Sequence, residues 1–125
     1  MSVLVVDDNI LDRKYIKYLI EVNLGFETQT AKGGIDALNK LCHRPFDLVV
    51  TDLIMPNMEG VELIQRISSF YPNSKIIAIS GGNPYYLYVI KKLGVEFVFT
   101  KPIDTLKFLN AIQNLLPAST HKLAV

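Results

Sequence analysis

Five short strand-like runs recur along the chain, four of them mainly apolar, and a segment with helical spacing follows each of them. The runs are residues 2–6, 26–30, 46–51, 75–79 and 95–100. The first, third and fourth are apolar almost throughout, which is typical of buried strands, whereas the second alternates and suits a less buried strand. Strands that alternate regularly with helices favour a parallel sheet covered by helices on both faces. The pattern therefore predicts a three-layer α/β domain.

The segments between the runs carry apolar residues at helical spacing. Such a stripe is typical of a helix that packs against a core. In chain order the five predicted stripes are Leu11, Tyr15, Tyr18 and Val22; Ile35, Leu38, Leu41 and Cys42; Val61, Ile64 and Ile67; Tyr86, Leu87, Ile90 and Leu93; and Leu106, Leu109, Ile112 and Leu116. Asp104 precedes the last stripe and is a predicted N-cap.

Composition limits the possible functions only modestly. The chain has 125 residues, half of them hydrophobic, and a formal net charge of +1, so one globular domain is expected and nothing favours a nucleic-acid partner. We expect neither a membrane span nor a secretion leader. Cys42 is the single cysteine, which favours a reducing cytoplasm and predicts a small buried side chain. His43 and His121 lack metal-site spacing, so zinc is not expected.

Polar residues stand where the predicted strands end. Asp7 and Asp8 follow the first strand, Asp52 the third, Ser80 the fourth and Lys101 the fifth. In a parallel sheet these ends lie on one rim, where three carboxylates would repel unless a cation such as Mg²⁺ compensates. A lysine and a hydroxyl beside them complete a set suited to phosphoryl transfer. Asp52 follows the central strand and is the predicted nucleophile.

Each of these residues also has a plainer interpretation. Asp52 alone would more often be a turn or cap residue, and Asp7 or Asp8 could cap the first helix. Ser80 could simply begin a turn, and Lys101 could be solvated. A nucleotide is not indicated, because no G-x-x-x-x-G-K-[ST] loop occurs. Met55 and Met58 are predicted packing residues, since thioethers are poor ligands for hard cations.

Together these motifs resemble the receiver domain of two-component response regulators. The matching stretches are Val5-Val6-Asp7-Asp8-Asn9, Asp52-Leu53-Ile54-Met55-Pro56-Asn57-Met58-Glu59-Gly60, Ile79-Ser80-Gly81 and Thr100-Lys101-Pro102-Ile103. The resemblance covers residues 2–117 and leaves 118–125 as a short tail. It implies a flavodoxin-like fold with a five-stranded parallel sheet in the order 2-1-3-4-5.

The resemblance also implies a role for each site residue. Asp52 would carry the phosphoryl group, Lys101 would pair with it, and Ser80 would hydrogen-bond it. Pro102 would follow a cis peptide bond. The implied Mg²⁺ ligands are Asp8 and Asp52 directly, Asp7 mostly through water, and the main-chain carbonyl of Ile54.

The implied partners are a phosphoryl donor and a target. The donor would be a histidine kinase or phosphotransfer protein. The target or output domain would contact the face of the fourth helix, fifth strand and fifth helix, with no direct binding to nucleic acid or membrane. The chain would be a monomer or a phosphorylation-dependent dimer, and it would catalyse only its own phosphoryl transfer and dephosphorylation. The residues expected on that face are Tyr85, Tyr88, Lys91, Lys92 and Val98.

Three positions depart from the family's common pattern. Val98 replaces the usual switch aromatic, and Phe97 and Phe99 beside it should point to the other side of the strand. An aromatic flip coupled to Ser80 is therefore not expected. Ile54 and Gly82 offer no polar side chain to an attacking water. We accordingly expect a long-lived phosphorylated form.

Other functions remain open at this stage. A small Mg²⁺-dependent phosphatase could use Asp52 as its nucleophile, but enzymes of the haloacid dehalogenase type place a second Asp where Ile54 stands. A flavodoxin-like flavin binder would need a phosphate-cradling loop after the first strand, where Asp7 and Asp8 would repel a phosphate. A degenerate receiver that is never phosphorylated is disfavoured, because each required side chain is present.

Overall fold

The computed structural model describes residues 1–55, 60–81, 88 and 90–116. Within these ranges a helix follows each of the first three strands and the fifth, as the sequence pattern predicts. The elements are β1 Ser2–Val6, α1 Ile10–Leu24, β2 Glu27–Ala31, α2 Gly34–His43, β3 Leu48–Asp52, α3 Gly60–Phe70, β4 Lys75–Ser80, β5 Phe97–Thr100 and a C-terminal helix, Thr105–Leu115. The predicted fourth helix, with Tyr85, Tyr86 and Leu87, lies largely outside the described residues, as do Met58 and Gly82.

The strands form one parallel sheet in the order β2-β1-β3-β4-β5. β1 and β3 are adjacent central strands, with Val6 opposite Thr51. β4 joins the other side of β3, where Asp52 lies opposite Ile79, and β5 follows with Thr100 opposite Ser80. The predicted strand order is confirmed. Because the register is parallel, the residues that follow β1, β3 and β5 lie on one rim of the sheet.

Two apolar cores lie on opposite faces of the sheet, because successive side chains of a strand alternate. One core contains Leu4 and Val6 of β1 with buried residues of α2 and α3. The other contains Val3 and Val5 with buried residues of α1 and the C-terminal helix. β5 follows the same rule: Val98 packs against the first core and Phe99 against the second, as predicted.

The predicted stripe of α1 lies on the solvent side, so this expectation is wrong. Leu11, Tyr15, Tyr18 and Val22 are all exposed, Leu11 by 74%. The helix instead buries Ile16, Leu19 and Ile20. Apolar residues occur on nearly every side of α1, so helical spacing alone does not decide which row packs. The three buried side chains are aliphatic, whereas two of the four exposed ones are tyrosines that keep their hydroxyl groups near water.

Two other stripes are only partly confirmed. In α2 the buried row is Gly34, Ala37 and Leu41, whereas Ile35 and Cys42 are exposed. The predicted burial of the single cysteine is therefore wrong, because its position lies about 100° around the helix from Leu41.

At the start of the C-terminal helix, too, the buried residue differs from the predicted one. Leu106 is exposed, and Phe108 is buried instead. Ile112 and Leu116 bury as expected. Asp104 caps the helix as predicted, since its carboxylate accepts a hydrogen bond from the Lys107 N–H at 3.1 Å. No helix in the described part of the chain is sufficiently long and apolar to cross a membrane.

Candidate functional site

Three aspartates meet on the rim where β1 and β3 end. Asp52 is the last residue of β3, and Asp7 and Asp8 directly follow β1 on the adjacent strand. One carboxylate oxygen from each of the three lies within 4.8 Å of the others. Asp7 and Asp52 are buried, whereas Asp8 is exposed. The structure therefore brings together the three acids that the sequence predicts for one site.

Lys101 enters the same site from the end of β5. Its Nζ lies 3.2 Å from Oδ2 of Asp52 and 3.5 Å from Oδ2 of Asp7. Its main-chain N–H donates to the Ser80 carbonyl at 3.0 Å, which continues the pairing of β4 with β5. The side chain is about one-third exposed. The alternative of a freely solvated lysine is therefore excluded.

A fourth carboxylate, Asp12, belongs to the site and was missed by the sequence reasoning. Its Oδ2 accepts a hydrogen bond from Lys101 Nζ at 3.0 Å. Asp12 stands in the first turn of α1, and its side chain is 45% exposed. The available signal was its position: a residue in the first turn of a helix that begins just after a strand remains near that strand's end.

The start of α1 also excludes a capping role for Asp7 or Asp8. Asn9 is the N-cap, and its side-chain oxygen accepts from the Asp12 N–H at 3.0 Å. Asp7 Oδ1 accepts from the Asn9 N–H at 2.9 Å. This bond leaves the second oxygen of Asp7 directed to the other charges of the site.

The backbone of Asp52 and Leu53 lies very close to Gly60 at the start of α3. Asp52 Oδ1 accepts from the Ile54 N–H at 3.2 Å, so the carboxylate also serves the turn that follows β3. At the start of α3, the Gly60 N–H donates to the Leu53 carbonyl at 2.9 Å. A Cβ at position 60 would lie 2.3 Å from the Asp52 carbonyl oxygen. Only glycine fits there without moving the backbone of Asp52.

The charges of the site shift the pKa values of two groups. Burial raises the pKa of Asp7 above its ordinary value, and the negative charges of Asp52 and Asp12 raise it further. The hydrogen bond from the Asn9 N–H and the charge of Lys101 lower this pKa but do not outweigh the rise. Burial alone would lower the pKa of Lys101, but its hydrogen bond to Asp12 and the charges of Asp52 and Asp7 outweigh this effect and raise it. Lys101 is therefore a cation throughout the ordinary pH range.

The acidic cluster suits a hard divalent cation. Asp7 is 1% exposed, and its Oδ2 is a buried polar atom without a hydrogen-bond partner in the described residues, although Lys101 Nζ lies 3.5 Å away. Leaving a buried carboxylate oxygen in this state is costly unless a cation binds there. The cluster offers only oxygen ligands, which Mg²⁺ prefers. These features fit a magnesium ion beside Asp52.

The remaining predicted residues lie around this cluster. Ser80 is buried at the end of β4, beside β3. Ile54 exposes more than half of its side chain, and Met55 is buried in the core as predicted. The peptide bond before Pro102 is cis, as the resemblance implies. On the expected target face, Tyr88, Lys91 and Lys92 are exposed. The Nζ atom of Lys92 lies 4.6 Å from the centre of the Tyr88 ring.

Comparison with known proteins gives a consistent family. A family model described as response regulator receiver domain matches residues 3–113. The chemotaxis protein CheY of Treponema pallidum is 33% identical over 118 residues, which cover 91% of this chain and 81% of that protein. A crystal structure of a response regulator receiver domain protein from Clostridium thermocellum matches with a TM-score of 0.86 and 26% identity, covering 99% of this chain and 98% of that chain.

Sensor kinases are also among the relatives. RcsC of Salmonella typhimurium is 43% identical over 67 residues, covering 54% of this chain but 7% of the kinase. The matched part of the chain thus spans less than a tenth of the length of RcsC.

These relatives share a flavodoxin-like fold, and phosphorylation and Mg²⁺ are general features of their family. Receiver domains act as phosphorylation-dependent signalling switches, and the relatives do not favour the alternative of a Mg²⁺-dependent phosphatase. The family model covers most of the sequence, and the CheY relative aligns over most of both proteins. The chain therefore belongs to the response regulator receiver domain family.

Proposed function

We propose that Asp52 is the phosphoacceptor of this receiver. A carboxylate oxygen of Asp52 attacks the phosphorus of a phosphohistidine, and a P–O bond forms as the P–N bond breaks. The imidazole nitrogen of the donor keeps the electron pair of the broken bond. The observation that carries the proposal is the contact of 3.2 Å between Lys101 Nζ and Asp52 Oδ2, at the end of a buried central strand. Lys101 thereby lies where it can neutralise charge on the transferred group.

The same proposal assigns Mg²⁺ to the acidic cluster. Its ligands would be Asp8 and Asp52 directly, Asp7 mostly through water, and the main-chain carbonyl of Ile54. The unpartnered oxygen of Asp7 and the proximity of the three carboxylates support this assignment. The ion would neutralise phosphoryl oxygens during transfer, as divalent cations do in phosphoryl-transfer sites generally.

Ser80 and Lys101 would transmit the phosphorylated state to β5, where Val98 stands in place of the usual switch aromatic. Phosphorylation adds about −1.5 to −2 charges and three acceptor oxygens. Lys101 and the Ser80 hydroxyl would both donate to these oxygens. Because β4 and β5 are paired at Ser80 and Thr100, a movement of Ser80 would be felt in β5 and on the target face beside it.

The partners would be a histidine kinase or phosphotransfer protein as donor, and a target or output domain at that face. The sensor kinases and the CheY protein among the relatives support this general class of partners. We place the receiver at residues 2–117, with a tail at 118–125, in the cytoplasm. Its catalysis would be limited to its own phosphoryl transfer and dephosphorylation.

Intact-mass measurement after treatment with acetyl phosphate and Mg²⁺ tests the acceptor. We expect one phosphate-sized gain, lost in Asp52→Asn and after chelation of Mg²⁺. Asp47→Asn is the matched control, because Asp47 directly precedes β3 and bonds Ser2 at the opposite end of the same strand. An equal gain in wild type and Asp52→Asn would refute the assignment.

The lifetime of the phosphorylated form is a separate part of the proposal. The exposed Ile54 side chain has no polar group to orient an attacking water, and neither has Gly82. We expect slow loss of the phosphoryl group, and several-fold faster loss in Ile54→Asn. Following the phosphorylated mass with time after removal of acetyl phosphate measures both rates. Loss in wild type as rapid as in fast chemotaxis receivers would contradict the expectation.

A further inference from the structure

The ammonium group of Lys101 is shared among three carboxylates. Nζ lies 3.0 Å from Asp12, 3.2 Å from Asp52 and 3.5 Å from Asp7. A lysine ammonium has three N–H donors. Two of its donors are hydrogen-bonded to Asp12 and Asp52, and the ammonium also lies at ion-pair distance from Asp7. A new acceptor on Asp52 therefore competes with these carboxylates for the ammonium group.

Asp12 is the partner that can most easily be replaced. Its carboxylate is 45% exposed, whereas the side chain of Asp52 is 10% exposed and that of Asp7 is 1% exposed. Its side chain does not cap α1, since Asn9 does so through the Asp12 main-chain N–H. Release of Asp12 would therefore leave neither a buried charge nor an open helix end.

The space beside Asp12 can accommodate another position of its side chain. A cavity of about 430 Å³ lies between α1 and the turn after β5, and its lining residues are Asp12, Tyr15, Ile16, Lys101, Pro102 and Ile103. The cavity is open to water, so a carboxylate that turns into it keeps its hydration.

We propose that Asp12 is a positioning residue that holds Lys101 in the unphosphorylated protein and competes with the phosphoryl group for it. This inference rests on the proposed function of Asp52 and Lys101. A phosphoryl group on Asp52 brings new acceptor oxygens to Lys101 and adds negative charge near Asp12. Lys101 turns to the phosphoryl group, and the Asp12 carboxylate gives up its hydrogen bond. Asp12 thus opposes phosphorylation twice, by retaining Lys101 and by like-charge repulsion.

Binding of beryllium fluoride in the presence of Mg²⁺ tests the competition, because this anion forms a tetrahedral phosphoryl mimic on a carboxylate. We expect Asp12→Asn to bind the mimic roughly two- to fivefold more tightly than wild type, the range for a partly exposed ion pair. Asp12→Glu restores the charge and should return the affinity towards wild type. Glu21→Gln is the matched control, since Glu21 is another α1 carboxylate that pairs with Lys17 instead.

The outcomes separate this inference from the proposed function. A merely structural Asp12 would change the melting temperature without tightening mimic binding. Equal or weaker binding by Asp12→Asn, with wild type binding normally, overturns the competition alone. Failure of wild type to bind the mimic contradicts the proposed function as well. A gain shared by Glu21→Gln would show a general charge effect and would overturn the specific role of Asp12.

Discussion

The rim of strand ends and the outer face of α1 differ in how their residues come together. On the rim, Asp7, Asp52 and Lys101 come from three strands and meet within 3.5 Å of the Lys101 ammonium. On α1, Leu11 and Val22 belong to one regular helical stripe that is exposed. Both regions show a clear pattern in the sequence. The pattern of strand ends correctly predicted that the rim residues meet, whereas the helical pattern wrongly predicted that the α1 stripe is buried.

The difference has a physical cause. In a parallel sheet, the last residue of each strand must lie on one rim, so the position follows from where the apolar run ends. In a helix, every row of apolar residues is a candidate for burial, and tertiary packing selects among them. In α1 the selected row contains Ile16, Leu19 and Ile20. A sequence pattern therefore predicts the position of its residues when the sheet topology allows only one position for them.

The largest expected effect tests which side of α1 packs. Leu19→Ala should lower the free energy of unfolding by about 2–4 kcal/mol, because Leu19 is buried and its truncation leaves a cavity. Leu11→Ala makes the same substitution on the exposed stripe and should change stability by less than about 0.5 kcal/mol. Urea unfolding of both variants measures the difference. Equal losses would mean that the outer stripe of α1 is covered in solution.

The next effect concerns the close approach beneath the site. Gly60→Ala should destabilise the protein by about 2 kcal/mol, because its Cβ would collide with the backbone of Asp52 and Leu53. It should also slow phosphorylation by acetyl phosphate, since the Asp52 backbone must move. Gly33→Ala is the control: a Cβ there meets no atom within 4 Å. Wild-type stability and phosphorylation in Gly60→Ala would refute the steric requirement.

The fold and the rim could be predicted from the sequence to different depths. Strand order is confirmed, and the rim acids cluster as expected, although their individual roles remain predictions. Asp12 was missed because its position in the first turn of α1 places it near the end of β1 but does not indicate its contact with Lys101, which joins α1 to the turn after β5. Cys42 was misplaced for the same reason as the α1 stripe, since helical spacing does not identify the packed row. The sequence pattern predicts the elements and their ends but not the contacts that side chains of different elements make with one another.

The smallest effect tests whether charge repulsion on the rim costs stability. Asp7→Asn should raise the free energy of unfolding of the Mg²⁺-free protein by about 1 kcal/mol, because a buried carboxylate among other acids is replaced by a neutral isostere. The folded-state pKa of Asp7 is raised, so ionised Asp7 opposes folding. The gain should be full above the raised pKa and vanish below the ordinary value of 3.8. Asp8→Asn, at an exposed position, should raise the free energy of unfolding by less. Added Mg²⁺ should stabilise Asp7→Asn less than it stabilises the wild type. Urea unfolding with chelator at pH 7.5 and 3.5 measures these differences; a loss of stability in Asp7→Asn at pH 7.5 would contradict the repulsion.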